Sequence, residues 1–358
     1  MSNNERAIIY LDLLTHLEYK HKRNIIDLYK DIGTLFENPS ICYEYLLNNA
    51  SQGYAKTFID GINAKIYDEI IDNAINGDYV IVTEQSKDYP TSLFNIDFRP
   101  LCLYCKGNLN LLNAKNIFSI VGSRKTLPEY LKHCSNISNE LSSSGVVIVT
   151  GVANGADKSA ILGAIDSGNL ILVLAGGFNY INSEQNRDLI NKTAKCGLVI
   201  SEYAPQVPHL AYHYPIRNRI IAGLSKGVLI CSGNYKSGTK YTAQFALEYN
   251  KDLFCFPYAI NASGGELCNK LIKEGAYLTE SVEDICQVCN FTVSEKQNAS
   301  LSKLEEKVYS EVKNGATKVE TLIENLNLKI YELIPILSSL EIKGYLLKNS
   351  SNEYINLL

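Results

Sequence analysis

Nowhere does the 358-residue chain hold an apolar run near the roughly 20 residues that a membrane-spanning helix needs; runs such as NLILVLAGGF stop far short. No secretory leader is expected either, because the opening MSNNERAIIYLD carries charges where such a leader is greasy. General excess positive charge is absent: 34 Lys and Arg stand against 38 Asp and Glu, for a formal charge of -4. This argues against a generally basic coat for nucleic acid, and any such binding must be local. No G-x-G-x-x-G and no G-x-x-x-x-G-K-[ST] occurs, so neither a dinucleotide fingerprint nor a P-loop is supported. Ten cysteines without an export signal point to reduced thiols in a cytoplasm.

What is present is an ordinary globular composition, 46% apolar and 20% charged, on a chain long enough for two or three domains. Residues 1–78 have a helical texture. Ile8, Leu11, Leu14 and Leu17 recur at spacings of three, a second helical stretch covers Asn24–Tyr29, and Ile32-Gly33 makes a turn. This segment is expected to form a small helical bundle, of helix-hairpin-helix-like or sterile-alpha-motif-like type, or a plain helical cap. From Tyr79 the pattern changes to short Ile/Val/Leu runs: Tyr79–Val82, Leu101–Tyr104, Ile117–Val121, Val146–Thr150, Leu170–Leu174, Leu198–Ser201, Gly227–Cys231 and Leu253–Phe256. Helical lengths such as Leu127–Leu141 and Ser159–Asp166 separate the later ones. That alternation predicts βαβ units and a mostly parallel, doubly wound α/β sheet over residues 79–293. A polar stretch, 294–302, reads as a linker. Residues 303–358 follow with three amphipathic helices, Leu304–Val312, Val319–Asn325 and Ile330–Leu340. A terminal hairpin closes the chain, from Gly344–Leu347 through the turn Asn349–Asn352 to Tyr354–Leu357, in a winged-helix arrangement. With eight Glu, seven Lys and no Arg from 301 to 358, this part is expected to contact protein or a second copy rather than read duplex grooves.

One further absence is the most informative. Between Tyr203 and Leu247 there is no Asp or Glu, yet Arg217, Arg219, Lys226, Lys236 and Lys240 are all there. The glycine-bearing turns expected at the carboxyl ends of the strands would meet this basic island. They are Gly122-Ser123-Arg124, Gly151 to Asp157, Gly176-Gly177 and Ser237-Gly238-Thr239. Turn amides at helix starts favour anions, and guanidinium groups fit phosphate oxygens. RNRIIAGLS reads as a helix that buries Ile220, Ile221 and Leu224 while its first turn, with both arginines, faces the rim. Two cations at a helix start oppose its dipole, which an external anion would offset. Tyr203, Tyr212, Tyr214, Phe178, Tyr180 and Tyr235 lie close in sequence to these groups, and rings among cations suit single-stranded nucleic acid.

No set of residues makes a convincing catalytic constellation. Asp157 is expected to cap a helix, and His213 to be a surface residue or to touch a base. The pairs Cys102/Cys105 and Cys286/Cys289 have C-x-x-C spacing, but strand alternation sends the first pair to opposite faces, so no metal is expected.

The ordered motifs Val121–Arg124, Gly151–Asp157, Arg217-Asn218-Arg219-Ile220-Ile221-Ala222-Gly223-Leu224-Ser225 and Ser237–Thr239 resemble those of the DNA-processing protein A (DprA/Smf) family. Tyr89-Pro90, Gly107-Asn108 and the stretch from Gly265 to Gly275-Ala276 fit the same pattern. The resemblance implies an extended Rossmann-like fold and a cytoplasmic, non-enzymatic homodimer without cofactor. Such a protein binds single-stranded DNA, protects incoming strands in natural transformation, loads the RecA recombinase and displaces single-strand-binding protein. Carried over, Gly122, Ser123, Arg124, Gly151, Gly155, Arg217, Asn218 and Arg219 would line a phosphate pocket that Ser237, Gly238, Thr239 and Lys240 close. The chain departs from the family pattern at Ala211, Ile161, Cys231 and Tyr258, where lysine, histidine, glutamate and glycine are usual. Loss of that glutamate is expected to leave the rim more basic. The alternative is a small-nucleotide-binding or nucleoside-phosphate hydrolase-like protein on the same sheet, with Glu248 as its one candidate acid.

Overall fold

The computed structural model describes residues 1–77, 79–181, 183–292, 301–343, 345–349 and 353–356. The chain forms two compact units, Met1–Val293 and Ser294–Leu358.

A nine-stranded sheet organises the first unit. Its strands are β1 (Val80–Thr83), β2 (Cys102–Gly107), β3 (Ile117–Val121), β4 (Val147–Thr150), β5 (Leu170–Leu174), β6 (Leu198–Ser201), β7 (Gly227–Ile230), β8 (Asp252–Cys255) and β9 (Tyr277–Leu278). They lie in the order β1-β2-β6-β5-β4-β3-β7-β8-β9. From β6 to β9 all neighbours run parallel; β2 is antiparallel to β6, and β1 to β2. The apolar runs thus form the strands expected of them, within one residue at either end for β3 to β8. Every residue of β3 and β5 is buried, as a sheet covered on both faces requires. Ser119, the one polar residue in β3, donates to the Ile221 carbonyl at 2.8 Å. The two-residue edge strand β9 carries no sequence signal of its own.

From β3 the chain winds to β6 in one direction and to β9 in the other. A topological switch point therefore falls where the carboxyl ends of β4, β3 and β7 meet. Helices α1 (Asn3–Leu13), α2 (Tyr19–Leu28), α3 (Pro39–Asn49), α4 (Gln52–Asn63) and α5 (Ile66–Asn76) precede the sheet. They do not stand apart as residues 1–78 were expected to: their apolar side chains join the same core as the strands. Polar links cross as well. The Tyr104 hydroxyl on β2 donates to Asp12 Oδ2 at 3.1 Å, and Glu84 accepts from both Arg23 and Arg99.

Helices α6 (Pro128–Ser143), α7 (Ala156–Ala164), α8 (Glu184–Cys196), α9 (His213–Leu224), α10 (Thr239–Glu248), α11 (Glu266–Lys273) and α12 (Val282–Cys289) complete the unit. On α9, Ile220, Ile221 and Leu224 are buried as expected, each contributing roughly 1.5–3 kcal/mol relative to exposure. But α9 begins four residues before Arg217, which places both arginines beyond its first turn. The helix-dipole cost fades within that turn, so it gives no reason for an anion here.

In the second unit, α13 (Lys303–Lys313), α14 (Val319–Leu326) and α15 (Ile330–Ile342) are followed by β10 (Leu346–Lys348) paired with β11 (Tyr354–Asn356). This is the expected three helices and wing. Of the expected linker only Leu301 and Ser302 fall within the described residues, and of the expected hairpin Gly344, Ser350, Ser351, Asn352 and Leu357 lie outside them. Ser302 caps α13, accepting from the Glu305 amide at 3.2 Å. Among the described residues no helix is long and apolar enough to cross a membrane. All ten cysteines are free thiols, and the described residues contain no His, Cys, Asp or Glu cluster able to hold a metal ion.

Candidate nucleic-acid interface

The turns after β3 and β7 and the outer side of α9 enclose a cleft of about 740 Å³ at the switch point. Of the twelve residues predicted, Gly122, Ser123, Arg124, Arg217, Asn218, Ser237, Gly238 and Thr239 line it. Gly151 and Gly155 lie just behind. Gly155 has φ +86°, and a Cβ there would fall 2.3 Å from the Ser123 carbonyl oxygen, so only glycine lets α7 start this close to the β3 turn. Gly151 leaves room for two side chains: its added Cβ would meet Asp157 Oδ2 at 2.5 Å and Arg217 Nη2 at 2.7 Å. Lys240 is exposed on α10 with its ammonium over the Tyr241 ring.

Arg219 is the exception, and helix geometry explains it. Two residues at about 100° each turn a side chain through about 200°, so Arg217 and Arg219 leave α9 on nearly opposite sides. Arg219 is 4% exposed and pairs with Glu202 through both terminal nitrogens, while Nε and Nη2 donate to the Phe98 carbonyl at 3.0 and 2.7 Å. It lines a different cavity and grips a carboxylate, not a ligand.

Arg217 does reach the cleft but is itself 5% exposed. Its Nη1 donates to the Val173 carbonyl and its Nε to Asn218 Oδ1 at 3.3 Å. Burial depresses its pKa, and the Asp157 carboxylate nearby raises it. Asp157 is not the helix cap expected of it, because Gly155 holds that position. It is a buried acid that accepts the Gly122 and Ala153 amides. Burial pushes its carboxyl up to about 6, against the downward pull of Arg217, those amides and Arg124. Carboxylates from outside the window thus act on both arginines of the basic island: Glu202 pairs with Arg219, and Asp157 lies near Arg217.

What remains uncommitted is Arg124. It is exposed, makes no ion pair or side-chain hydrogen bond among the described residues, and lies over the Tyr214 ring at 5.9 Å. Lys125 beside it also lines the cleft, although the motif match does not single it out. The lining thus holds Arg124, Lys125 and Arg217 against one carboxylate, Asp157. Much of the turn backbone is already used. Ser123 N donates to Ser232, Ala156 N to the Ser123 carbonyl and Thr239 N to Ser237 Oγ. Side chains, more than open amides, are left to meet an anion.

His213 is no surface residue: it is 5% exposed, stacks on Tyr203 at 4.0 Å and bonds the Ala175 carbonyl at 3.2 Å. His209 lines the cleft, half-buried, and burial holds its imidazole below the usual range. Of the departures from the family pattern, Ala211 lies in the cleft wall. Ile161 and Cys231 are fully buried. A carboxylate in place of Cys231 would sit in the core beside Cys134 and not on the rim, so its absence does not add to the positive rim. Tyr258 stacks on Tyr130 at 3.8 Å and donates to the Cys231 carbonyl at 2.8 Å. Glu248 lines the other cavity, with Arg219.

A doubly wound, mostly parallel sheet with a switch-point cleft rimmed by cations and a tyrosine ring defines an α/β protein of Rossmann-like class. Residues 80–290 match the model of the DNA recombination-mediator protein A family, and the chain belongs to that family, DprA/Smf. It is 37% identical over 203 residues to DNA processing protein DprA of Bacillus subtilis (strain 168), covering 56% of this chain and 68% of that one. To Protein Smf of Escherichia coli (strain K12) it is 30% identical over 279 residues, 74% of each chain. Among solved structures, DprA of Streptococcus pneumoniae superposes with a TM-score of 0.69 at 26% identity, covering 82% of this chain and 99% of that one. DprA of Helicobacter pylori, whose structure was described for its single-stranded DNA binding mode, superposes with a TM-score of 0.55 at 28% identity. That match covers 60% of this chain and 97% of the Helicobacter chain.

Proposed function

We propose that the protein binds single-stranded DNA without cleaving it, holding phosphates in the switch-point cleft. The observation that carries this is Arg124, an unpaired guanidinium over the Tyr214 ring at the mouth of a cleft with three cations and one carboxylate. Exposed cations take phosphates and ring faces take bases, a combination that tolerates any sequence. Family membership and the strand-binding Helicobacter relative support the same choice. On the family pattern the protein works in the cytoplasm as a homodimer. There it shields incoming strands during transformation, loads RecA onto them and displaces single-strand-binding protein. A hydrolase role has less behind it, since Glu248 lies away from this cleft.

A length series of oligo-dT measured by fluorescence polarisation at two ionic strengths tests the assignment. Affinity should climb with length until the cleft is filled and fall steeply with salt, by about 0.7 log units per log unit of salt for each phosphate held. A mononucleotide that competes as well as a long strand, with little salt dependence, would refute it.

A further inference from the structure

On the other side of α9 lies a second cavity of about 590 Å³, within the size range of small-ligand sites. Its walls are the rings of Tyr19, Phe98, Tyr203, Phe245 and Tyr249. Lys22 contributes a side chain only 9% exposed, whose ammonium donates to the Asp12 carbonyl at 3.0 Å and makes no ion pair among the described residues. Two of its three N–H donors are therefore uncommitted. Asp12, Asp97 and Glu248 supply carboxylates on the same lining.

Phe98 stands at this cavity in an unusual state. It is 63% exposed and has φ +51°, a conformation that a bulky aromatic residue adopts only when its surroundings impose it. Two bonds from Arg219, itself paired with Glu202, hold its carbonyl in this conformation. Tyr19 meets the ring edge-on at 5.3 Å. A large apolar ring thus stands out towards solvent on a residue whose carbonyl the Arg219–Glu202 pair anchors.

A phosphate does not suit this cavity, where Asp12, Asp97, Glu202 and Glu248 outnumber Lys22 and Arg219. An aliphatic ligand would leave the Lys22 donors unmatched. A planar heteroaromatic ring meets every feature: faces for the aromatic walls, a carbonyl for Lys22 and an exocyclic amine for a carboxylate. The first turn of α9 is shared between the two cavities, with Tyr214 and Pro215 on the cleft and Ile216 on the second. One helix width, on the order of 10 Å, separates them.

We propose that this second cavity is a nucleobase pocket, taking an amine-bearing base of the strand whose phosphates occupy the cleft. The proposal rests on the strand-binding reading above. Its test uses the full chain, an oligo-dT carrying one 2-aminopurine, and plain oligo-dC and oligo-dT. Saturating protein should quench the 2-aminopurine emission, and oligo-dC should bind more tightly than oligo-dT. Phe98→Gly keeps a residue at ease with φ +51° and removes the ring. It should lose most of the quenching and weaken oligo-dC about tenfold, the effect of one lost stack, with the salt dependence unchanged. Lys22→Met should lower the preference for oligo-dC in the same direction.

Strands that bind with steep salt dependence, but with equal dC and dT affinity and quenching that ignores both variants, would overturn the pocket and leave the cleft standing. Failure of every oligonucleotide to bind would remove the cleft as well. Free deoxycytidine gives the remaining arm. If it perturbs the protein's tyrosine emission in a Phe98-dependent way and no oligonucleotide displaces it, the site belongs to a free nucleoside and the strand assignment is wrong.

Discussion

Replacing Arg124 by alanine separates binding from folding more cleanly than any other change in the cleft. The guanidinium is exposed and its one intramolecular contact of note is the Tyr214 ring at 5.9 Å. An exposed cation–π contact is worth about 0.5–1 kcal/mol. For a chain this long that lowers Tm by no more than about 2–4 °C. A charge-assisted hydrogen bond to phosphate is worth about 1.5–3 kcal/mol, and solvent exposure places Arg124 at the lower end. Affinity for oligo-dT should therefore fall roughly tenfold at 50 mM salt. Removing one phosphate contact should also make the salt dependence shallower by about 0.7, so the tenfold deficit shrinks about 2.5-fold on going to 200 mM. Polarisation titrations at the two salt concentrations and a thermal melt of the same sample measure all three quantities. Unchanged affinity would refute the assignment of the cleft. A melt lowered by 10 °C or more would show instead that Arg124 holds the fold, and the binding loss would lose its meaning.

Arg219→Ala should behave in the opposite way, since it strands Glu202 in a largely buried place at a cost of about 3–5 kcal/mol. A urea melt should show this, and Arg219→Met with Glu202→Leu should recover much of it. Acidification should strengthen DNA binding. The Asp157 carboxyl, raised to about 6 by burial, takes up a proton as pH falls from 7.5 to 5.5, and an anion in the cleft favours that neutral form. The expected gain is a few-fold for oligo-dT, and Asp157→Asn should flatten the profile. His209, depressed by burial, acts in the same direction at lower pH, so a profile unchanged in Asp157→Asn would reassign the effect to it.

The sheet was legible because its strands are covered on both faces and so appear as unbroken apolar runs, as in LILVL at Leu170–Leu174. The union of the amino-terminal helices with the sheet was not, since it rests on contacts between residues far apart, such as Arg23 with Glu84. The cleft was half legible. Its glycine turns and Arg124 follow from motif and topology. The charge balance does not, because counting charges along a window sees only neighbours in sequence. Asp157, 60 residues earlier in the chain, acts on Arg217 through space, and Glu202 stands immediately before the acid-free window. Nor does a linear motif display phase: R-N-R looks like one feature, yet the helix splits it. The amides lost to internal bonds, such as Ser123 N to Ser232, have no trace in the sequence at all.

Because α9 assigns its two arginines to different compartments, rotational setting becomes a constraint as strict as residue identity. Inserting a single residue between His213 and Ile216 would swing everything after it by about 100°, dragging one guanidinium away from its carboxylate and the other off the Val173 carbonyl. Gly223 marks the face that must stay in place. A Cβ there would fall 2.8 Å from Ile96 Cγ2 and 3.0 Å from Leu93 Cδ2, so the rod seats closely against the segment between β1 and β2. Homologues should therefore tolerate length changes on either flank of this rod far more readily than within it.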